Sequence, residues 1–162
     1  MKKLNRKGFT LIELLAVIVI LAIVVVVTIP SVISSINKAK ASSLVNATAT
    51  VTEWFTKQYE LSTLGSVVGS GDLSSTFTSL GLNKDNPSSL SATILKEAGI
   101  TNTTGLSGTA QLNGTKVCIN LTADDTSQFY VTENQDAKDA GVEYIANGDK
   151  AKLMKVTGSG CK

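Results

Sequence analysis

The sequence predicts an α+β protein in which one long N-terminal α-helix packs on a C-terminal antiparallel β-sheet head with short helices. Three observations predict this fold class. An apolar run opens the chain, an amphipathic pattern of helical period follows it, and short strand patterns with tight-turn signals fill the C-terminal third. The length of 162 residues is enough for one domain with a modest core.

The charge distribution separates a short basic start from a mildly acidic remainder. The chain has 15 Lys and Arg against 13 Asp and Glu, and four of the bases lie in the first seven residues: Lys2, Lys3, Arg6 and Lys7. Beyond them the acids outnumber the bases, so the basic footprint of a nucleic-acid-binding domain is missing. We therefore predict no nucleic-acid partner.

The composition also argues against an enzyme and against a metal or cofactor site. The chain has no histidine, which is the usual base of nucleophilic sites and the commonest transition-metal ligand. Its two cysteines are too few for a four-ligand zinc site. The acidic residues Asp124, Asp125 and Asp149 do not have the spacing of a calcium-binding EF-hand and are interpreted as solvated turn residues.

The apolar run from Phe9 to Pro30 predicts a membrane-spanning helix. Between Gly8 and Lys38 the only charged residue is Glu13. About 20 apolar residues at ~1.5 Å per residue span the ~30 Å hydrocarbon core of a bilayer. The bases that precede the run predict a cytoplasmic N-terminus.

A cleaved secretory signal peptide and an ordinary membrane anchor are the alternatives for this segment. The run exceeds the usual signal-peptide core of about 7–15 residues, and no clear small-residue cleavage site follows Pro30. A signal peptide would also gain nothing from the carboxylate of Glu13. These features count against a signal peptide, and an ordinary single-span anchor is the other alternative.

Glu13 needs a partner, because a carboxylate inside a bilayer costs about 2.5–3.5 kcal/mol. If the chain is cut after Gly8, Phe9 gains a free amine four residues before Glu13, about 6 Å along a helix. A neighbouring helix shifted by that distance would bring its amine to this carboxylate. Such a pair would set the axial register between two copies of the chain.

The start of the chain resembles the processing site of type IV prepilins. The resemblance is carried by a basic leader that ends in Gly8, by Phe9, by Glu13 and by the long apolar run with Pro30. It covers about the first 55 residues. The sequence departs from the family at two places. Ala22 stands where many pilins have a glycine, and Thr48-Ala49-Thr50 stands where many have a second helix proline.

The resemblance implies a defined processing step. A membrane-embedded prepilin peptidase would cut between Gly8 and Phe9 and methylate the new amine of Phe9, and Glu13 would pair with the terminus of an adjacent subunit. The expected segments are a leader of residues 1–8, an apolar membrane and fibre-core segment of residues 9–30, and a globular head of residues 31–162. The head includes the amphipathic half of the long helix.

The implied function is that of a main structural subunit of a type IV pilus used in adhesion, surface motility or aggregation. The precursor would lie in the cytoplasmic membrane with its head outside and would then join an extracellular homopolymer. Its partners would be itself, the peptidase, and an assembly machinery with a cytoplasmic ATPase. The alternatives are a minor pilin, a type II secretion pseudopilin, or a membrane-tethered binding module.

The second half of the long helix is predicted to end near Glu60 and to pack on the head through Trp54, Phe55 and Tyr59. Pro30 should disturb the helix locally, because it cannot donate to the carbonyl of Val26. Apolar positions of helical period mark this half: Val32, Ile33, Ile36, Leu44, Val45, Val51, Trp54, Phe55 and Tyr59.

The head is predicted from turn and capping signals. These signals predict a flexible connection at 65–71 and a short helix at 73–80. A second helix is predicted from Asn86-Pro87 to Gly99, followed by a loop at 101–108. The residues of this helix expected to face inward are Leu90, Ile94, Leu95 and Ala98. Strands are expected at 109–112, 115–122, 129–133, 142–146 and 150–156, with tight turns at Asn113-Gly114 and Asn147-Gly148.

Cys118 and Cys161 enclose the last predicted strands. A disulfide between them is favoured in an extracytoplasmic protein and agrees with the C-terminal disulfide loop of many pilins. Two buried free thiols are the alternative.

Overall fold

The computed structural model describes residues 9–68, 82 and 87–161, with the side chains of residues 64–68 left out. By its internal contacts the chain divides into two units, Met1–Ile36 and Asn37–Lys162. The first unit contributes the beginning of helix α1 (Leu11–Val68), and the second unit contains the rest of that helix together with every strand of the described residues.

The elements after α1 alternate short helices with strands. In chain order they are β1 (Ser88–Ser89), α2 (Ala92–Glu97), β2 (Leu106–Asn113), β3 (Lys116–Ala123), α3 (Gln135–Asp139), β4 (Glu143–Asn147), β5 (Lys150–Thr157) and a 3₁₀ turn (Ser159–Cys161). The strands form one antiparallel sheet in the order β1-β2-β3-β5-β4. The predicted α+β class is therefore confirmed.

The core lies between α1 and one face of the sheet. Leu44, Val51 and Phe55 of the helix have no exposed surface, and Ile119 and Met154 of the sheet are equally buried. Trp54 and Tyr59 are partly buried against this cluster, and the ring of Trp54 meets that of Phe55 edge to face at 4.9 Å between centroids. The three aromatic residues thus pack on the head as predicted.

Both hairpin turns agree with the sequence signals. In the first, Asn113 pairs with Lys116 across a two-residue loop, and in the second Asn147 pairs with Lys150. Gly114 and Gly148 have φ angles of 64° and 58°, a region that is easy for glycine and costly for other residues. The glycines therefore close the turns and fix the strand register.

The helix predicted from Asn86-Pro87 to Gly99 is shorter than expected. Asn86 lies outside the described residues, Pro87 precedes β1, and α2 begins at Ala92. The hydroxyl of Ser91 accepts from the amide of Ile94 and caps the helix, so serine provides the N-cap. Gly99 ends the segment with a φ of 97° as expected. The four residues predicted to face inward are all buried: Leu90, Ile94, Leu95 and Ala98.

The strand predicted at 129–133 is wrong, because side chains satisfy the backbone there. The amide of Val131 donates to Sδ of Met154 at 3.0 Å, and the hydroxyl of Tyr144 donates to the carbonyl of Val131 at 3.0 Å. The chain then enters α3, which was not predicted. Its N-cap, Asn134, accepts from the amide of Ala137.

Three further predictions differ from the structure at their edges. Helix α1 extends to Val68 instead of ending near Glu60, so the first part of the expected connection at 65–71 is helical. Strand β2 begins at Leu106, inside the loop expected at 101–108. The short helix predicted at 73–80 lies outside the described residues.

Candidate functional site

A reciprocal pair of hydrogen bonds forms the start of helix α1. The amide of Thr10 donates to Oε2 of Glu13 at 2.8 Å, and the amide of Glu13 lies 3.4 Å from Oγ1 of Thr10. The hydroxyl of Thr10 also donates to Oε2 of Glu13 at 2.8 Å. This is a capping box, and its sequence signal, a Thr followed by a Glu three residues later, was overlooked in the sequence analysis.

The capping box leaves part of the Glu13 carboxylate available. Within the described residues, both bonds that the carboxylate accepts end on Oε2, so Oε1 is open to a donor from another chain. Phe9 precedes the box with 86% of its surface exposed, whereas Gly8 lies outside the described residues. The structure thus describes the Phe9 side of the expected cleavage point and the geometry of Glu13.

The helix that follows presents an apolar surface that the other described residues do not cover. Leu11, Leu21 and Ile29 are 83%, 56% and 48% exposed, and the exposed apolar side chains continue to Ile36. In the described part of the chain, α1 is the one helix long and apolar enough to cross a membrane. A surface of this size requires lipid or other protein chains as its environment.

Pro30 does not end the helix. The helical assignment continues on both sides of it, although proline has no amide proton to donate to the carbonyl of Val26. The missing hydrogen bond therefore does not break the helix.

Cys118 and Cys161 are joined by a disulfide, with their Cα atoms 4.4 Å apart. The bond holds the C-terminal 3₁₀ turn against β3, where the amide of Gly158 also donates to the carbonyl of Ile119 at 2.7 Å. A Cβ atom on Gly160 would lie 1.9 Å from the carbonyl oxygen of Val117, so only glycine fits there. The predicted disulfide thus closes a tightly packed end of the head.

A charged cluster joins the irregular segment before α3 to the sheet. Glu133 accepts from Lys138 of α3 at 2.7 Å and from Lys152 of β5 at 2.5 Å. Hydrogen bonds from these two ammonium groups lower the pKa of the Glu133 carboxyl to about 2. Burial raises the pKa of the nearby Tyr144 hydroxyl, which is consistent with its bond to a main-chain carbonyl.

The acidic residues considered for calcium do not form a ligand cluster among the described residues. Oδ1 of Asp124 accepts from the amide and the hydroxyl of Thr126 at 2.9 and 2.6 Å. This carboxylate therefore closes a local turn.

The comparison with protein-family models matches residues 3–29 to the prokaryotic N-terminal methylation motif. The match includes three of the four bases at the start, the capping box and the apolar run, and it ends one residue before Pro30. Comparisons with curated proteins and with solved structures gave no significant match.

Proposed function

Because the chain carries the N-terminal methylation motif that is characteristic of type IV pilins, we propose that it is the main structural subunit of a type IV pilus. The motif and the fold, a long apolar helix followed by a five-stranded antiparallel sheet, belong to a pilin-like or pseudopilin-like protein. The motif implies processing by prepilin peptidase, and it fits a precursor anchored in the membrane.

The observation that carries the proposal is the combination of Glu13 with an uncovered apolar helix. A single carboxylate near the start of such a helix suits a fibre in which each subunit supplies both an acid and an amine. We propose that the peptidase cuts between Gly8 and Phe9 and that the amine of Phe9 is methylated. This amine then approaches Oε1 of Glu13 in a neighbouring subunit.

The capping box prepares Glu13 for this contact. Two hydrogen bonds from Thr10 hold one carboxylate oxygen at 2.8 Å and restrict the rotation of the side chain. Less side-chain entropy is then lost when the neighbour's amine arrives. The pair would compensate both charges in an apolar fibre core, and it would fix the axial offset between helices.

Membrane lipid and the fibre core offer the apolar helix similar environments. The hydrophobic effect therefore gives little drive for moving it from one to the other, as in the association of membrane helices. We propose that close packing, charge pairing and an assembly ATPase supply the drive. In this proposal the exported head determines adhesion, surface motility or aggregation.

Two measurements test the proposal. Intact mass of the protein purified from its own cells should correspond to a chain that starts at Phe9 and carries one additional methyl group. A terminus beyond Pro30 would instead indicate a secretory signal. Electron microscopy of cells that lack the protein should show no fibres, and the precursor gene supplied in trans should restore them. Fibres that persist without the protein would favour a minor pilin or a pseudopilin.

A further inference from the structure

Two segments of the second unit combine exposed lysines with aromatic side chains. We define the base as residues 37–43 of α1 and residues 128–134 of the loop before α3. Two shallow hollows show that these segments lie together. One, of about 270 Å³, is lined by Lys40, Ser43, Gln128 and Phe129. The other, of about 390 Å³, is lined by Asn37 and Tyr130–Asn134.

We propose that the base binds the headgroups of anionic lipids while the subunit is inserted in the membrane. The inference rests on the proposed function only in requiring that the apolar helix spans a bilayer. It adds a second contact with the membrane, made by the head.

The charges of the base favour an anionic partner. Lys38 and Lys40 are exposed, and Glu133 is the only acidic residue within the two segments. The carboxylate of Glu133 is already paired with Lys138 and Lys152. Among the described residues, the ion pairs do not involve Lys38 or Lys40, so both lysines can bind an external anion. Phosphates at a bilayer surface attract lysines in this way.

The aromatic residues of the base suit the same environment. Phe129 and Tyr130 are partly buried against the core, and each retains exposed surface. Aromatic rings are enriched at membrane–water interfaces, where an apolar ring meets a polar layer. The base thus offers both kinds of side chain that bind headgroups, cationic and aromatic.

The position of the base along the chain places it near the lipid headgroups. Asn37 directly follows Ile36, where the series of exposed apolar side chains ends, and Lys38 comes about 12 Å after Pro30 along a helix. A helix whose apolar stretch exceeds the hydrocarbon thickness tilts, which shortens this distance. The four-carbon side chain of lysine can span the rest of the distance between the helix backbone and the headgroups.

The test uses the full chain reconstituted in vesicles. Phe129→Trp in a Trp54→Phe background supplies a fluorescent reporter on the base. The unmodified chain supplies the control reporter Trp54, about 21 Å further along α1 from Lys40. Vesicles of phosphatidylcholine alone are compared with vesicles that contain three parts in ten of phosphatidylglycerol, each with lipids brominated near the headgroup.

We expect the base reporter to be quenched in the anionic vesicles and Trp54 to be unaffected. The double variant Lys38→Gln/Lys40→Gln should lower the equilibrium constant for contact between the base and the anionic surface by roughly fivefold per lysine. It should reproduce the result in phosphatidylcholine alone. Lys57→Gln, an exposed lysine on the same helix, is the matched control and should change nothing. Circular dichroism of each variant shows whether the head is folded.

Three results would overturn the inference. The first is a water-exposed reporter in both kinds of vesicle. The second is quenching of the base reporter that is the same in both kinds of vesicle and is unchanged in the double lysine variant. The third is a reporter shielded in sheared fibres but not in vesicles, since the base would then contact another subunit. Extraction of the vesicles with alkaline carbonate shows whether the chain is inserted in the bilayer, which distinguishes these outcomes from a failure of the proposed function. A chain that does not insert at all contradicts the membrane-spanning role itself.

Discussion

The two halves of helix α1 contain similar apolar residues, but only the second half buries them within its own chain. Leu21 is 56% exposed within its own chain, whereas Leu44 has no exposed surface. The later residue belongs to the buried core of the head. The earlier one needs an environment that the described residues do not supply. The comparison teaches that apolar character alone does not define a core. An apolar residue stabilises the fold when its own chain buries it, and it is available for lipid or another subunit when its own chain does not.

This difference separates the two properties that mutations should affect. A change in the first unit, Met1–Ile36, should act on insertion and assembly and leave the stability of the head unchanged. A change in the second unit, Asn37–Lys162, should act on folding and reach assembly only by reducing the amount of folded protein. Each prediction below tests this separation.

The largest expected effect is the loss of fibres on removal of the Glu13 charge. Glu13→Ala deletes both the charge and the capping box, and an amine left unpaired in an apolar core costs several kcal/mol. Glu13→Gln keeps a capping-box residue without the charge and should fail equally, whereas Glu13→Asp should assemble in part. Yield of sheared fibres relative to total cellular protein measures this. Normal yield from both neutral variants would refute the pairing.

Removal of the disulfide should be the next largest effect and should concern the head. The bond closes a loop over a sequence separation of 43. Replacing both cysteines by alanine should lower the free energy of unfolding by about 4 kcal/mol in the chain-entropy model. Urea unfolding of the oxidised and variant proteins in detergent gives the value. A parent protein that shows two free thiols on alkylation would contradict the bond.

A matched pair of leucines on α1 compares the two units directly. Leu44→Ala should cost about 3 kcal/mol, because it opens a cavity in a covered core. Leu21→Ala should change the stability of the head by less than about 0.5 kcal/mol, because the side chain is exposed in the isolated chain. The same urea experiment measures both. Equal losses from the two variants would mean that the separation between the units is wrong.

The Glu133 cluster should have a smaller effect that depends on pH. The folded pKa of about 2 lies below the ordinary value of 4.5, so the contribution to stability is complete above 4.5. It is lost as the pH falls through the folded value. Glu133→Gln should flatten the decline in stability between these limits, and the exposed Glu97→Gln should not. Thermal melts at several pH values record the slopes.

The smallest expected change is in a chain that begins at Val32. Among the described residues, the core begins at Ala41, so the head should fold as a soluble monomer with the melting temperature of the full chain. Sedimentation and circular dichroism examine the product. Aggregation under oxidising conditions would show that the apolar helix contributes to the head.

The sequence predicted the parts of the molecule that local chemistry determines. Gly114 and Gly148 marked the hairpins because few other residues accept their φ angles, and the period of Leu44, Val51 and Phe55 marked the buried face of α1. The segment at 129–133 was mispredicted because its backbone partners are Met154 and Tyr144, more than ten residues away. No local pattern reports such distant partners.

The candidate site was predictable in composition but not in detail. Glu13 stands out as the one charge in an apolar run, and the capping signal with Thr10 was present in the sequence but overlooked. The base of the head could not be predicted, since it joins residues near 40 to residues near 130. Only the packed fold brings these segments together.

The hydroxyl groups of α1 have a consequence for insertion. Thr28 donates to the carbonyl of Val25 at 3.2 Å, and Ser35 donates to that of Ser31 at 3.0 Å. Each hydroxyl proton is therefore donated to a carbonyl one turn earlier in the same helix. In a medium of low dielectric constant such residues carry no unsatisfied donor, so the desolvation penalty of each hydroxyl is largely met before the helix leaves water. The hydroxyls of Thr28 and Ser35 therefore add little to the free-energy cost of inserting the helix in a bilayer.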